Sequence, residues 1–309
     1  MSRGVWLWNT NEVLGNHAAE QLLVAQSKLY GFTDFFISLS TQQYLSSQAQ
    51  LQTFLALLTA NNIGAYGLNG DRGDLGDSNG PAGLYQNVSA MIQYNARVAT
   101  NQRFKGFNAD VEPNDGPGSQ YLTRFHNEVP EGQLSKTGGG VWYPTQYLDR
   151  DYLMQSWLGI YQQISNMLHF ANLKFSPSMP SWVPNFYGQP IHVTYMGLRQ
   201  ELLPLLMACI DEYRTMTYNT YQPAVISILS TALIYADTIP AITRPKVSAS
   251  VDVVVGDGIT TSYGDTPPWQ NKTAVIAAMN ALDADFAKYP AYSGCNVEDW
   301  QGWLALPLN

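Results

Sequence analysis

Eight short runs rich in β-branched and aromatic residues recur along the chain of 309 residues, and the segments between them space apolar residues three and four apart. The runs are GVWLWN (4–9), TDFFISLS (33–40), IGAYGLN (63–69), FKGFNADVE (104–112), LKFSPSMP (173–180), EYRTMTYN (212–219), KVSASVDVV (246–254) and SGCNVEDW (293–300). Between them AAEQLLVAQSKLY (18–30), SQAQLQTFLALLTANN (47–62) and TAVIAAMNALDADFAKY (273–289) read as amphipathic helices. Strands alternating with helices at intervals of roughly 30 residues or more make repeated βα units. Eight such units predict an α/β fold, a single (β/α)8 barrel over residues 1–309. Its long loops follow strand three (about 70–83) and strand four (about 113–150), at the barrel end where enzymes of this architecture build their sites.

Composition narrows the function. Charged residues make up 13% of the chain, against about 25% in an average soluble domain, while 45% is hydrophobic and 12% aromatic. The net charge is -8 and the 16 Lys and Arg are scattered, which argues against nucleic acid as a partner. ELLPLLMACIDEY (201–213) is broken by Pro204 and ends in charges, so no membrane span is expected. The N-terminus, MSRGVWLWNT, runs straight into strand-like sequence without an apolar leader core or a small-residue cleavage site. That reads as a cytoplasmic chain, or a secreted one whose leader has been removed, and a monomer is expected. Cys209 and Cys295 have no metal or CxxC spacing and read as two buried thiols. Asn87 (NVS) and Asn271 (NKT) match the N-glycosylation triplet. His17, His126, His169 and His192 show no ligand spacing, so neither a metal nor any other cofactor is expected.

The stretch FKGFNADVEPND (104–115) holds the strongest chemical signal. In an extended strand Asn108, Asp110 and Glu112 share one face, while Phe107, Ala109 and Val111 take the other. Two carboxylates side by side push one pKa up, a burden in a core and an asset in acid catalysis. The ends of the other strands are equally rich in acids, amides and rings: Trp6 and Trp8, Asn69, Trp182, Met216 with Tyr218 and Asn219, Asp252, and Glu298 with Asp299 and Trp300. Rings that pack on the CH faces of pyranoses, next to carboxylates and amides that bond hydroxyl groups, point to an oligosaccharide or polysaccharide partner.

Two of these segments resemble a known family. KGFNADVE (105–112) resembles the strand-four signature DGxDxDxE of family-18 glycoside hydrolases, the chitinases and endo-β-N-acetylglucosaminidases. MTYN (216–219) resembles that family's strand-six motif, MxYD. Lys105 stands where the first Asp belongs and Asn108 where the second does, while the final Asp110 and Glu112 are kept. The resemblance implies a barrel that hydrolyses glycosidic bonds next to a 2-acetamido sugar, with Glu112 as general acid, Asp110 orienting the acetamido group and Tyr218 bonding its oxygen. Asn108, Asn219, Trp300, Trp8, Trp6, Asn69, Met216, Trp182, Asp252 and Glu298 are the expected substrate-binding residues, with Trp300 as the floor of a subsite.

Two alternatives remain open on the residues alone. A two-carboxylate retaining glycosidase would pair Glu112 with a nucleophile such as Asp252, and would need no acetamido group. A carbohydrate-binding barrel without catalysis is the other, suggested by the changes at Lys105 and Asn108.

Overall fold

The computed structural model describes residues 1–70, 74–75, 81–113, 147–186, 189–268 and 270–309. The loops expected at about 70–83 and 113–150 lie mostly outside these residues. Nine strands form one sheet: β1 (Gly4–Leu7), β2 (Asp34–Ser38), β3 (Gly64–Asn69), β4 (Gly106–Ala109), β5 (Lys174–Phe175), β6 (Ser178–Pro180), β9 (Glu212–Met216), β10 (Lys246–Asp252) and β11 (Tyr292–Glu298). Their order is β5-β4-β3-β2-β1-β11-β10-β9-β6, and every pairing in the sheet is parallel.

β5 and β6 are two halves of the single fifth run. Pro177 lies between them and has no N–H to give to a ladder, yet Ser176 N donates to Phe107 O (2.9 Å) and Arg214 N donates to Pro177 O (3.2 Å). One half pairs with β4 and the other with β9, so the fifth strand closes the ring and the nine-strand sheet is an eight-stranded barrel. A hairpin outside the barrel, β7 (His192–Tyr195) and β8 (Leu198–Glu201), follows the fifth strand. Sequence periodicity did not mark it.

Helices return the chain between strands: His17–Tyr30, Gln48–Ala60, Ala82–Arg97, Tyr147–Phe170, Gln222–Thr238 and Lys272–Phe286. The first starts on Asn16, whose side chain accepts from Ala19 N, and ends on Gly31 in the left-handed region at φ 76°. Alternation along the strands divides the core. Val5, Leu7, Phe35 and Ile37 face outward into the layer shared with the helices. Trp6, Phe36, Tyr66 and Leu68 form a separate cluster inside the barrel, with Trp8 packed on it from above.

Cys209 and Cys295 are both free and buried. Asn87 is buried with its Nδ2 donating to Leu39 O (2.6 Å), so it carries no glycan in this fold. Asn271 caps the helix Lys272–Phe286 by accepting from Ala274 N. Among the described residues no helix is long and apolar enough to cross a membrane.

Candidate active site at the barrel mouth

β4 ends at Ala109, so Asp110 and Glu112 sit just past its C-terminal end rather than within it. The chain there is still held to the sheet: Asp110 N donates to Asn69 O at 3.0 Å. Gly70 is obligatory at that contact, because a Cβ on it would come within 2.0 Å of Asp110 O. On the far side of the ring Asp252 closes β10 and Glu298 closes β11, and the two are register partners on adjacent strands. Trp8 Nε1 donates to Glu298 Oε1 at 2.6 Å, tying the end of the first strand to that of the eighth.

Tyr218, two residues past β9, lies where these groups meet. Burial, and then the carboxylates of Glu298, Asp110, Asp252 and Glu112, push its phenol well above the ordinary value. Five side chains from four strand ends are therefore close enough for the four carboxyls to act on the phenol, and Tyr218 stays a neutral hydrogen-bond donor. Glu298 is also pushed well above the usual carboxylate range by burial and by Asp110, Asp299 and Asp252, against the opposing pull of the Trp8 N–H. Burial lifts Asp252 to about 7, helped by the carboxylate of Asp257 in the following loop and opposed by Val254 N–H and Ser262. Val254 N reaches Asp252 Oδ1 at 2.7 Å.

Below the mouth a polar network crosses the interior beside the Trp6, Phe36, Tyr66 and Leu68 cluster. Asn108 Nδ2 donates to Ser176 O (2.5 Å), and Asn108 Oδ1 accepts from Ser178 Oγ (3.0 Å), which in turn accepts from Trp6 Nε1 (3.3 Å). Asn108 thus fastens β4 to the split fifth strand, with neither end of its amide turned to substrate. Trp6, 1% exposed, is a filler of the barrel with its ring 4.8 Å from that of Phe36. Met216 is buried one step beneath Tyr218. Lys105 pairs with Asp34 at 3.4 Å, at the opposite end of the barrel, so its departure from the family motif does not touch the mouth.

Trp300 is placed differently from the expectation. It is 1% exposed and sits edge-on to Phe35, an outward-facing residue, with ring centroids 5.7 Å apart. It belongs to the layer between strands and helices and forms no floor of the mouth. The resemblance puts this residue on a strand end, but a helix, Trp300–Ala305, begins there, capped by Asp299, which accepts from Gly302 N. The inward position at that strand end belongs to Glu298. Trp182 packs on Trp157 and Phe186 (6.0 and 6.2 Å) beside the helix layer, and Asn219 spends its Oδ1 on Tyr221 N (2.8 Å), capping a turn. Asp257 is the acidic neighbour the sequence reading passed over; its setting in a Gly-Asp-Gly step after the seventh strand was the available signal.

No family model matches the chain, and no curated protein matches it. Solved structures with a similar fold include the PgaB (BpsB) glycoside hydrolase domain from Bordetella bronchiseptica (7% identity, 99% of this chain and 95% of that one, TM-score 0.52). A GH18 chitinase from Pseudoalteromonas aurantia (10%, 97% and 94%, TM-score 0.51) is another. A putative sugar phosphate isomerase/epimerase from Anabaena variabilis (11%, 97% and 84%, TM-score 0.50) superposes comparably. At these identities the likeness is one of fold: the chain is a (β/α)8 barrel of the kind that GH18 chitinases and related glycoside hydrolases share.

Proposed function

We propose that this chain is a glycoside hydrolase that cleaves a β-linked glycan containing N-acetylhexosamine, by substrate-assisted retaining hydrolysis. The observation that carries the reading is the gathering of Asp110, Glu112, Asp252 and Glu298 around Tyr218 at the C-terminal mouth. Glu112 gives its proton to the leaving glycosidic oxygen as the acetamido carbonyl oxygen attacks the anomeric carbon and the C–O bond breaks. Glu112 then takes a proton from the water that opens the cyclised intermediate. Asp110 accepts from the acetamido N–H, and Tyr218, kept neutral by its surroundings, donates to the acetamido oxygen. The fold likeness to a chitinase and to a glycoside hydrolase domain supports the same reading.

The two-carboxylate alternative needs an ionised nucleophile opposite Glu112. Asp252, lifted to about 7, is only about half ionised at neutral pH, and burial pushes Glu298 well above the usual carboxylate range. Both are poor candidates, which favours the substrate's own acetamido group. The test is turnover of an N-acetylglucosamine oligomer by the parent protein and by Glu112→Gln. The variant is expected to lose on the order of 100-fold to 10,000-fold in kcat with binding retained. Asp110→Ala and Tyr218→Phe should each slow cleavage severely. A covalent adduct with a 2-fluoro glycoside, mapped to Asp252 or Glu298, overturns the acetamido mechanism. Oligomer binding by the parent without any cleavage makes the barrel a carbohydrate binder instead.

A further inference from the structure

The hairpin outside the barrel leaves one edge open. β7 and β8 form a sheet of their own, with Tyr195 opposite Leu198 and Thr194 opposite Arg199. In an antiparallel pair, opposite residues alternate between exchanging hydrogen bonds and turning their backbone groups away from each other. Thr194 N donates to Asp151 Oδ1 (2.5 Å) and not to β8, so Thr194 and Arg199 are an outward pair, as are His192 and Glu201. The outer edge of β7 is thereby fastened to the helix Tyr147–Phe170. On β8 the backbone of Arg199 and the N–H of Glu201 face outward, and among the described residues no strand pairs with that edge. Leu198 on this strand is 66% exposed, and Met196 in the turn 85%. Beside the base of the hairpin lies a groove of about 420 Å³, walled by Ile191, Leu203 and Ile234, with Glu201 among its polar groups.

The strand LRQE (198–201) is complementary to a copy of itself. Laid antiparallel about a two-fold axis at Gln200, Arg199 of each copy stands opposite Glu201 of the other. Both residues turn their backbone groups to that edge, so the pair can exchange hydrogen bonds, and their side chains bring opposite charges together. Glu201 is exposed and makes no side-chain hydrogen bond or ion pair among the described residues. Arg199 reaches Asp151 at 3.6 Å, and a guanidinium has donors enough for a second carboxylate. The same register sets Leu198 of one copy against Leu202 of the other, at the start of the helix Leu202–Met207 and next to the groove. We propose that this chain forms a two-fold dimer, in place of the monomer expected from its sequence, by joining β8 to β8 of a second copy in a four-stranded sheet, with Leu198 of each seated in the groove of the other. A slip by two residues would set Arg199 against Arg199 or Glu201 against Glu201. The charges that discourage other strands from adding to this edge thus admit a copy of it in one register.

Sedimentation velocity of the intact protein tests this, and none of the residues involved lies at the mouth, so the result stands whether or not the protein cleaves a glycan. The parent should sediment as a dimer at about 100 µM and dissociate on dilution. Glu201→Arg sets like charges against each other at both symmetric contacts, as does Arg199→Glu, and each should weaken the dimer about tenfold or more. Mixing these two variants restores opposite charges at both contacts, so the mixture should dimerise where neither variant does alone. Leu198→Asp, at a position already exposed, should weaken the dimer by putting a charge against the apolar groove. A parent that stays monomeric, a dimer indifferent to Leu198→Asp, or a mixture no more dimeric than its two components overturns the proposal. If circular dichroism shows that a charge reversal unfolds the chain, Glu201→Gln takes its place: it removes the attraction without adding repulsion, and a dimer as tight as the parent's overturns the pairing.

Discussion

Asp252 shows how a single buried group leaves a mark on the pH dependence of stability. Its carboxyl is 1% exposed and held at about 7, chiefly by burial, whereas in the unfolded chain it titrates near ~3.9. A carboxyl whose folded pKa is raised contributes its full stability below about pH 4 and loses it progressively as pH rises to about 7, because the unfolded chain ionises first. Asp252→Asn, which keeps the shape and removes the ionisation, should therefore raise stability at pH 8. The gain should be on the order of 2–4 kcal/mol, with little change at pH 4. Thermal unfolding of both proteins at the two pH values checks this, and an equal shift at both would show that packing rather than charge is at stake. Residues of this kind were partly legible. Parity along FNADVE marked Asp110 and Glu112 as sharing one face, but the family resemblance that made Trp300 a subsite floor misplaced it, because the strand had already given way to a capped helix.

At the scale of elements, strands buried on both faces leave near-continuous apolar runs, which is why all eight barrel strands could be read from sequence to within a few residues. What escaped was what burial does not encode. The β7–β8 hairpin is short, with exposed Leu198 in one strand and Met196 at its tip in the left-handed region (φ 51°), so no alternation betrays it. The break in the fifth strand at Pro177 was equally hidden, because its repair lies in partners far along the chain. Asn108 is one of those partners, and this gives a prediction opposite to the one family resemblance suggests. Asn108→Asp restores the acidic pattern of the strand-four signature, but it replaces the Nδ2 donor to Ser176 O with a carboxylate oxygen. The variant should lose about 1–3 kcal/mol at neutral pH, the cost of a buried group left without its hydrogen bond. The loss should shrink at pH 4, where a protonated Asp can donate again. Urea unfolding at the two pH values measures it; a variant as stable as the parent at pH 7 would show that the split strand does not depend on this amide.

For the whole molecule, the ring is held shut from inside by one guanidinium. Arg214 on β9 is buried and donates to Ser176 Oγ on the fifth strand (2.6 Å) and Asn296 Oδ1 on β11 (3.0 Å), and it pairs with Glu212. Its plane lies 4.4 Å from the Phe36 ring of β2 and 5.6 Å from the Tyr66 ring of β3. Five of the eight barrel strands thus meet at one side chain. Asn296 extends the contact by accepting from Gly4 N and donating to Ser248 Oγ, which brings in β1 and β10. Although burial alone would raise the Glu212 carboxyl, Arg214 and Lys174 hold it down to about 2, so its stabilisation is present above ~4.3 and lost as pH falls toward 2. Together with the opposite dependence of Asp252, this places the maximum of stability in mildly acidic solution. Arg214→Met should cost about 3–5 kcal/mol, because it strands a buried carboxylate. Arg214→Met combined with Glu212→Gln should recover most of that loss, since Lys174 is half-exposed and returns to solvent. The discriminating quantity is the interaction energy of the double-mutant cycle at pH 7: a value near zero would mean that the barrel is closed by its backbone ladders alone, and that the polar centre fills space without joining the strands.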